Sequence, residues 1–278
     1  VWNAPTIDPS RGVLYVGDGN DYTDIDAPMT DSILAIDVAT GRLRWSRQLT
    51  PRDDWDAGCS LGGACPPHPG EDADFAASTI LIALPSGHRV LVAGQKSGLV
   101  YGLDPDAHGR VLWTRRVGAG GVFGGVEWGM AAIGSTVYVP ISDSMPTRPA
   151  DAPRPGLAAL DAATGKLLWW APAPRPECAW GADDCRAALS QAITAIRGVV
   201  FAGSQDGHLR AHDARDGRVI WDFDTARHVP AVNAEAAHGG SLDAGGPVVA
   251  DGMVFVNSGY GQFLGRGGNA LLAFGVAR

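Results

Sequence analysis

Short runs of hydrophobic residues alternate with polar turns along the whole chain. The runs are about four to eight residues long, rich in Val, Leu and Ile, and bounded by Gly, Asp or Pro. Residues 12–19, 89–98 and 198–207 are examples. No segment shows the period of about 3.6 residues that marks an amphipathic helix. The pattern therefore predicts an all-β chain made of many short strands.

One longer pattern repeats four times, close to the form A-x-D-x-x-T-G-x-x-x-W. The copies occupy residues 32–45, 98–113, 156–169 and 207–221, and they end at Trp45, Trp113, Trp169 and Trp221. The closing tryptophans follow one another at intervals of about 50 to 70 residues, a period typical of propeller blades or solenoid repeats. Because the elements have the pattern of strands rather than helices, the repeat favours a β-propeller.

Each repeat unit contains enough elements for a four-stranded blade. The repeated pattern supplies the last two strands, joined by a turn whose Asp and Gly suit a tight hairpin with one residue at positive φ. A hydrophobic run supplies the second strand. A segment of small apolar residues, such as 3–8, 128–133 or 191–196, supplies the first and innermost strand. We expect the closing tryptophan to pack on the neighbouring blade.

A fifth unit, residues 245–276, contains three strands and lacks the closing Asp, Gly and Trp. We therefore expect one domain over residues 1–278, an all-β β-propeller of four-stranded blades with about five blades present. Propellers commonly complete their last blade with a strand from the other end of the chain, so further blades are expected before Val1. The alternative is that the five units close into a ring by themselves.

Composition and charge narrow the class of partner. The chain has 38 Gly and 19 Pro, which suits a turn-dense fold, and 45% of its residues are hydrophobic. A net charge of -8 without basic runs argues against nucleic acid and anionic membranes as partners. No apolar stretch reaches the roughly 18 residues that a membrane-spanning helix needs. Neither a signal peptide nor an initiator Met opens the sequence, so we expect an internal piece of a longer protein.

The four cysteines form two local pairs, Cys59 with Cys65 and Cys178 with Cys185. A structural zinc site would need four convergent ligands and usually a tighter pair, so two disulfides are the favoured interpretation and zinc is the alternative. Disulfides would place the protein outside the cytosol, in the periplasm or secreted. The seven histidines show no HExxH or paired spacing, which supports neither a zinc site nor a histidine-based triad.

The repeat resembles that of the pyrroloquinoline quinone (PQQ) enzymes, the eight-bladed quinoprotein alcohol dehydrogenases. Non-enzymatic proteins share the repeat, among them an outer-membrane assembly lipoprotein, so a protein-binding scaffold is the alternative function. Within the family, GGVEWGMAA, GSQDGHLRAHD, GGSLDAGGP and VNSGYGQF are most similar to the polyvinyl-alcohol dehydrogenase branch. The resemblance covers essentially the whole chain.

Four family motifs occur in the family's order within the first hundred residues. VWNAPTIDP places Trp2 where the family has the floor under the PQQ ring, and VGDGN places Asn20 at a calcium ligand. DDWDAG places Asp56 at the catalytic base, also a candidate metal ligand, and GQKSGLVYGLD places Lys96 where a basic residue holds the quinone oxygens. Taken singly, each has a structural explanation: core packing for Trp2, a turn for Asn20, and solvated loop residues for Lys96 and Asp56.

The resemblance implies oxidation of an alcohol substrate with PQQ and Ca²⁺ as cofactors and a cytochrome c as electron acceptor. Asp56 would take the hydroxyl proton, Ca²⁺ held by Asn20 and Asp56 would act as a Lewis acid, and Lys96 would stabilise the oxyanion. The family's calcium-binding Glu, its adjacent-cysteine disulfide and a CxxCH haem motif do not occur in the sequence. We expect them in a preceding segment, together with three more blades and a haem c domain.

Two further sets of residues complete the sequence-based expectations. Alignment of the repeats places Trp128, beside Glu127, at the position of Trp2, where it either lines the axial cavity with the cofactor or fills space. The acidic loop with Asp24, Asp26 and Asp31 is expected to be solvated. We also expect ordinary loop roles for Arg52, Asp53 and Asp54.

Overall fold

The computed structural model describes residues 1–21, 27–145, 152–182, 184–233, 236–261 and 264–276, except the side chain of Leu61. Four antiparallel sheets of four strands follow one another, each in simple up-and-down order. Blade 1 contains β1 (Thr6–Asp8), β2 (Val13–Gly17), β3 (Ser32–Asp37) and β4 (Leu43–Gln48). Blade 2 contains β5 (Ile80–Ala83), β6 (Arg89–Gly94), β7 (Leu99–Asp104) and β8 (Arg110–Arg116).

The next two sheets repeat this plan and complete the four predicted blades. Blade 3 contains β9 (Ala131–Ile133), β10 (Thr136–Ile141), β11 (Gly156–Asp161) and β12 (Leu167–Pro172). Blade 4 contains β13 (Thr194–Ile196), β14 (Val199–Gly203), β15 (His208–Asp213) and β16 (Val219–Asp224). The predicted four-stranded blades are confirmed, although three of the four first strands have only three residues.

The last part of the chain forms a small hairpin and a three-stranded sheet. The hairpin contains β17 (His228–Pro230) and β18 (Ala236–His238), and the sheet contains β19 (Val248–Ala250), β20 (Met253–Ser258) and β21 (Ala270–Gly275). The three-stranded fifth unit is confirmed, whereas the hairpin was not predicted. In the described part of the chain, the sheet of β1 and that of β21 share no strand, and the sheets do not close. The alternative of a closed five-bladed ring is therefore wrong, and the expected set of about five blades from a propeller is confirmed.

The outer hairpins of blades 1, 3 and 4 have the predicted turn chemistry with one Gly at positive φ, whereas that of blade 2 has two consecutive residues, His108 and Gly109, at positive φ. In blade 1 the Asp37 carboxylate accepts hydrogen bonds from the Thr40 backbone N–H at 2.9 Å and from its hydroxyl at 2.8 Å. Gly41 follows with φ of 70°, a conformation that costs a residue with a side chain about 1 kcal/mol or more. The hairpin thus forms as the Asp and Gly of the repeat predict.

The closing tryptophans pack on the next blade, which confirms the prediction. The pairs in contact are Trp45 with Gly109, Trp113 with Gly165 and Trp169 with Gly217. A Cβ placed on Gly165 would lie 2.5 Å from the Trp113 ring, so a side chain there would displace the tryptophan. The indole N–H of Trp113 also donates to the Ala162 carbonyl at 2.9 Å. The repeated Gly therefore serves both the turn and the contact between blades.

The core lies between neighbouring sheets. Its largest cluster joins blades 2 and 3 through fully buried side chains such as Val92, Val100, Val139 and Leu160. Burying each such side chain contributes about 1.5–3 kcal/mol. The first strands of successive blades lie next to each other, β1 beside β5 and β9 beside β13, as expected for innermost strands.

Strand order decides which connections meet at one end of the propeller. In an up-and-down sheet of four strands, the turn between the second and third strands points to the same end as the crossing to the next blade. The β2–β3 and β6–β7 turns therefore share that end with the segments that connect β4 to β5 and β8 to β9. Residues from four connections can meet there.

The two predicted disulfides are confirmed. Cys59 is bonded to Cys65, beside the single-turn helix α1 (Gly58–Leu61), and Cys178 is bonded to Cys185. Zinc is excluded for these four residues because their sulfurs are used in the two bonds. Within the described ranges, no helix has the length and apolar character that a membrane span requires.

Candidate active site

A cavity of about 710 Å³ opens where these connections meet. Its walls are largely aromatic and apolar, with charged groups at a few points. The lining residues are Trp2, Trp55, Ala57, Ser60, Asp72, Asp74, Lys96, Val122, Phe123, Glu127, Trp128, Met145, Ser190, Asp243 and Leu264. A volume of this size and a lining of this kind are typical of pockets for small molecules and cofactors.

Lys96 provides the positive charge of the cavity. It lies in the β6–β7 turn, is 5% exposed, and its Nζ is 2.7 Å from Asp72 Oδ2 and 3.2 Å from Asp74 Oδ2. Burial alone would lower the pKa of Lys96, but attraction to Glu127, Asp72 and Asp74 outweighs burial and raises it. The ammonium group is therefore permanently charged at neutral pH.

Asp74 is the carboxylate that connects blade 1 to Lys96. Its Oδ1 accepts the backbone N–H of Asn20 at 2.9 Å, and its backbone carbonyl accepts the N–H of Lys96 at 3.0 Å. Gly19 makes this approach possible, because a Cβ there would lie 2.1 Å from Asp74 Oδ1. Sequence reasoning missed Asp74, although its place two residues after Asp72, just before the buried apolar residues 75–77, was a usable signal.

Asp72 is the second carboxylate beside Lys96. Burial raises its pKa to about 7, with Lys96 opposing the shift and Asp74 adding to it. Two buried carboxylates facing one ammonium group leave surplus negative charge, and Asp72 is the one that gains and loses a proton near neutral pH. An arrangement of this kind can accept and release protons under physiological conditions.

The tryptophan rings surround the charged groups. Trp2 and Trp128 come from blades 1 and 3, and their ring centroids lie 5.2 Å apart at 83°, an edge-to-face contact. Lys96 Nζ lies 5.8 Å from the ring centroids of both Trp2 and Trp55. The structure thus brings Trp2, Trp128 and Lys96 together, and these planar faces suit a flat aromatic ligand.

Asn20 lies at the edge of this group and Asp56 lies apart from it. Asn20 is 9% exposed, and its side-chain amide donates to the backbone carbonyl of Trp55. Asp56 does not line the cavity in the described part of the chain; its Oδ1 accepts the N–H of Gly58 at 2.6 Å at the start of α1. Its neighbours Trp55 and Ala57 do line the cavity.

Two other acidic residues differ from the sequence-based expectation. Asp31 is fully buried rather than solvated, and burial, with Asp53 and Asp74 nearby, raises its pKa to about 9. Asp53 is 1% exposed and accepts the backbone N–H of Ala73 at 2.5 Å, so it holds the loop segment that precedes Asp74. Sequence reasoning failed here because burial comes from packing between connections that are distant in the chain. Asp24 and Asp26 lie outside the described residues.

A calcium site is incomplete in the described residues. Ca²⁺ takes six to eight oxygen ligands in proteins. Among residues that the structure describes, no group of three or more His, Cys, Asp or Glu side chains is arranged to hold a metal ion. The predicted ligands Asn20 and Asp56 are held by hydrogen bonds to separate partners. Asn20 and Asp56 alone therefore do not form a calcium site.

Fold and cavity define the class as a β-propeller with a ligand site at one end. The chain belongs to the family of PQQ-type β-propeller proteins. Residues 96–242 match a family model described as "Outer membrane protein assembly factor BamB". Residues 1–64 match one described as "Glucose/ethanol/alcohol dehydrogenase, beta-propeller domain". The resemblance to quinoprotein alcohol dehydrogenases is thereby confirmed.

Relatives at high identity are alcohol dehydrogenases by name. The chain is 45% identical over 285 residues to polyvinylalcohol dehydrogenase of Pseudomonas sp and 40% identical over 291 residues to that of Sphingopyxis sp. (strain 113P3). Each match covers 99% of this chain and 44% of the relative, so the chain spans less than half of their length. The quinohemoprotein alcohol dehydrogenase of Comamonas testosteroni shares the fold, with a TM-score of 0.68, 19% identity, and coverage of 100% of this chain and 49% of that one.

Proposed function

We propose that the protein oxidises alcohols with PQQ as the hydride acceptor, and that its substrates are secondary alcohols, including polymeric ones such as polyvinyl alcohol. One observation carries the proposal: a buried Lys–Asp pair faces an aromatic-walled cavity of cofactor size. The names of the relatives give the class of reaction. Bound PQQ would accept the hydride from the alcohol carbon.

Asp74 is the residue that we propose as the general base. The alcohol loses a proton from oxygen as hydride leaves its carbon, so a carboxylate must lie within reach in the cavity. Asp74 lines the cavity and contacts the cation Lys96, whereas the Asp56 carboxylate accepts the backbone N–H of Gly58 outside the cavity lining. The motif around Trp55 predicts Asp56 for this role, and the geometry supports Asp74 instead.

Lys96 and the tryptophans would hold and polarise the acceptor. The preorganised, buried ammonium group of Lys96 would stabilise negative charge on an oxygen of the bound acceptor without reorganising. Because the Trp2 and Trp128 rings are perpendicular, one would contact the flat rings with its face and the other with its edge, and together they would exclude water from the reacting atoms. Each role uses a residue that already lines the cavity.

The remaining expectations rest on the family and are proposals. A bound Ca²⁺ near Asn20 would need ligands beyond the described residues of this chain. A cytochrome c, as a separate protein or a haem c domain, would take the electrons. The two disulfides support a periplasmic or secreted location.

Two variants compared in parallel test the assignment of the base. After reconstitution with PQQ and Ca²⁺, dye-linked oxidation of a secondary alcohol is measured for Asp74→Asn and for Asp56→Asn. We expect Asp74→Asn to lower kcat by about 10²–10⁴-fold, the usual contribution of a general base, and Asp56→Asn to keep it within about threefold. The reverse result would assign the base to Asp56. Absence of alcohol oxidation in the wild-type protein would refute the proposed activity.

A protein-binding scaffold is the second candidate function. The match of residues 96–242 to the model of an outer-membrane assembly factor favours it. A scaffold has no need for a buried ammonium group that faces a cavity. Titration with PQQ separates the two: an unchanged PQQ absorbance and unquenched tryptophan fluorescence would favour the scaffold.

A further inference from the structure

Glu127 is a buried carboxyl that lines the cavity and that the proposed mechanism does not use. It is 4% exposed, and among the described residues its Oε2 has no hydrogen-bond partner. The Asp74 carboxylate, by contrast, accepts hydrogen bonds from the Asn20 backbone N–H and from the Lys96 ammonium group. An unpaired buried oxygen is unfavourable, and a ligand in the cavity would supply the missing hydrogen-bond partner.

The backbone fixes Glu127 beside Lys96. Gly125 donates its N–H to the Lys96 carbonyl at 2.7 Å, and Val126 donates to the Gln95 carbonyl at 3.2 Å. The side chain then lies against Gly124, because a Cβ there would be 2.4 Å from Glu127 Oε2. The carboxyl group is therefore confined at the cavity wall between Lys96 and Trp128.

Burial, together with the neighbouring carboxylates, keeps Glu127 protonated. Burial is the largest cause and raises the pKa of Glu127 to about 8. Lys96 opposes the shift, while Asp243, Asp72 and Asp74 add to it. Asp243 also lines the cavity, and its carboxylate accepts hydrogen bonds from the Ser190 hydroxyl at 2.7 Å and the Gln205 amide at 3.1 Å. At neutral pH Glu127 is thus a carboxylic acid, which can donate a hydrogen bond.

We propose that Glu127, as a neutral acid, donates a hydrogen bond to a carbonyl or carboxylate oxygen of the PQQ that the proposed function assigns to this cavity. The contact rests on that function and adds a second recognition point beside Lys96. Lys96 attracts the anionic ligand at any pH below its own titration, whereas Glu127 recognises an oxygen only while it keeps its proton. Cofactor affinity therefore falls when Glu127 ionises.

Two substitutions separate the donor from the charge. Glu127→Gln keeps the shape and a donor at every pH, and Glu127→Leu removes both. PQQ is titrated into each purified protein at about pH 6 and about pH 9, on either side of the Glu127 titration, with tryptophan quenching as the readout. At about pH 6 we expect Glu127→Gln to bind within about threefold of the wild type and Glu127→Leu about tenfold more weakly. From about pH 6 to about pH 9 the ionisation of Asp72 weakens binding in both proteins, and the wild type should weaken by about tenfold more than Glu127→Gln because only the wild type also loses the Glu127 donor.

The infrared spectrum of the ligand-free protein gives the protonation state directly. The wild-type-minus-Glu127→Gln difference should contain a carboxylic-acid C=O band that disappears as the pH rises through about 8. Absence of that band below the transition would overturn the neutral acid. Urea unfolding tests whether the variants fold. If Glu127→Leu does not fold, the comparison of the wild type with Glu127→Gln at the two pH values still tests the proposal.

The outcomes keep the two proposals apart. PQQ binding that is equal in the wild type and Glu127→Leu, or equally weakened in both variants, overturns the Glu127 contact and leaves the proposed function standing. A wild-type protein that binds no PQQ at either pH overturns the proposed function and the contact with it. The full expected pattern supports both.

Discussion

The ammonium nitrogen of Lys96 lies 2.7 Å from Asp72 Oδ2, with both side chains almost completely removed from solvent. The two residues come from different connections that meet only in the folded propeller. Breaking one partner of a buried ion pair is strongly destabilising, since the other charge stays buried without compensation. This pair therefore links the stability of the fold to the chemistry of the cavity.

Removing the charge of Lys96 should destabilise the protein markedly. We expect Lys96→Met to lower the free energy of unfolding by about 3–5 kcal/mol, measured by urea denaturation. Lys166, exposed in the β11–β12 hairpin, is the matched control, and Lys166→Met should change stability by less than about 0.5 kcal/mol. Equal effects of the two substitutions would show that the buried pair contributes nothing special.

The raised carboxyl pKa values predict that stability declines with pH. Asp72 titrates at about 7 and Glu127 at about 8 in the folded protein, against ordinary values of 3.8 and 4.5. Between those limits the folded state holds protons that the unfolded state has released, so the contribution of these two groups to stability is greatest below about pH 4 and is lost as pH rises to about 7 for Asp72 and about 8 for Glu127.

Urea denaturation of the metal-free protein at several pH values measures this decline. Each group contributes a slope of at most about 1.4 kcal/mol per pH unit. Glu127→Gln should remove one such contribution between about pH 5 and pH 8. A slope that is the same in the wild type and the variant would contradict the assignment.

The two disulfides should contribute similarly to stability but differently to binding. They close loops with sequence separations of 6 and 7, so replacing either pair by serine should cost about 2 kcal/mol in the chain-entropy model. The Cys59–Cys65 disulfide closes the loop that contains Ser60, a residue that lines the cavity. No described residue of 178–185 lines the cavity. Only Cys59→Ser/Cys65→Ser should therefore weaken PQQ binding, measured by fluorescence titration. Equal weakening by both variants would contradict this division.

Gly124 should tolerate a side chain less well than a glycine of similar conformation. Gly124 has φ of 77° and Gly134 has φ of 58°, but only at Gly124 would the Cβ meet Glu127; at Gly134 no atom lies within 4 Å. We expect Gly134→Ala to cost about 1–2 kcal/mol from the backbone alone and Gly124→Ala about 1–3 kcal/mol more. Urea denaturation measures both. Similar losses at the two positions would mean that the Glu127 side chain moves aside freely.

Local patterns were sufficient to predict most of the fold. The spacing from Asp37 to Gly41 and Trp45 determines a hairpin and a contact with the next blade, and both depend on nearby residues. The β17–β18 hairpin was missed because its strands have three residues each and no hydrophobic alternation. Very short strands leave too few positions to show a period.

The site was predicted only where a motif belongs to a fixed turn. Trp2, Lys96 and Trp128 follow directly from strand positions, and they meet in the cavity. The segment 52–79 is a long connection, and no local rule tells which of its aspartates turns inward. Asp74 enters the cavity because Gly19 leaves room for it, a contact between residues 55 positions apart.

The contact of three closing tryptophans, Trp45, Trp113 and Trp169, with a glycine of the following blade makes the architecture modular. Trp113 and Gly165 lie in different units, yet every complete unit carries both halves of the contact. A duplicated unit inserted between two others would find a glycine ahead and a tryptophan behind already in place. Arrays of this kind can gain or lose blades by recombination without a new interface having to arise, so blade number can change in evolution more easily than the joint between blades.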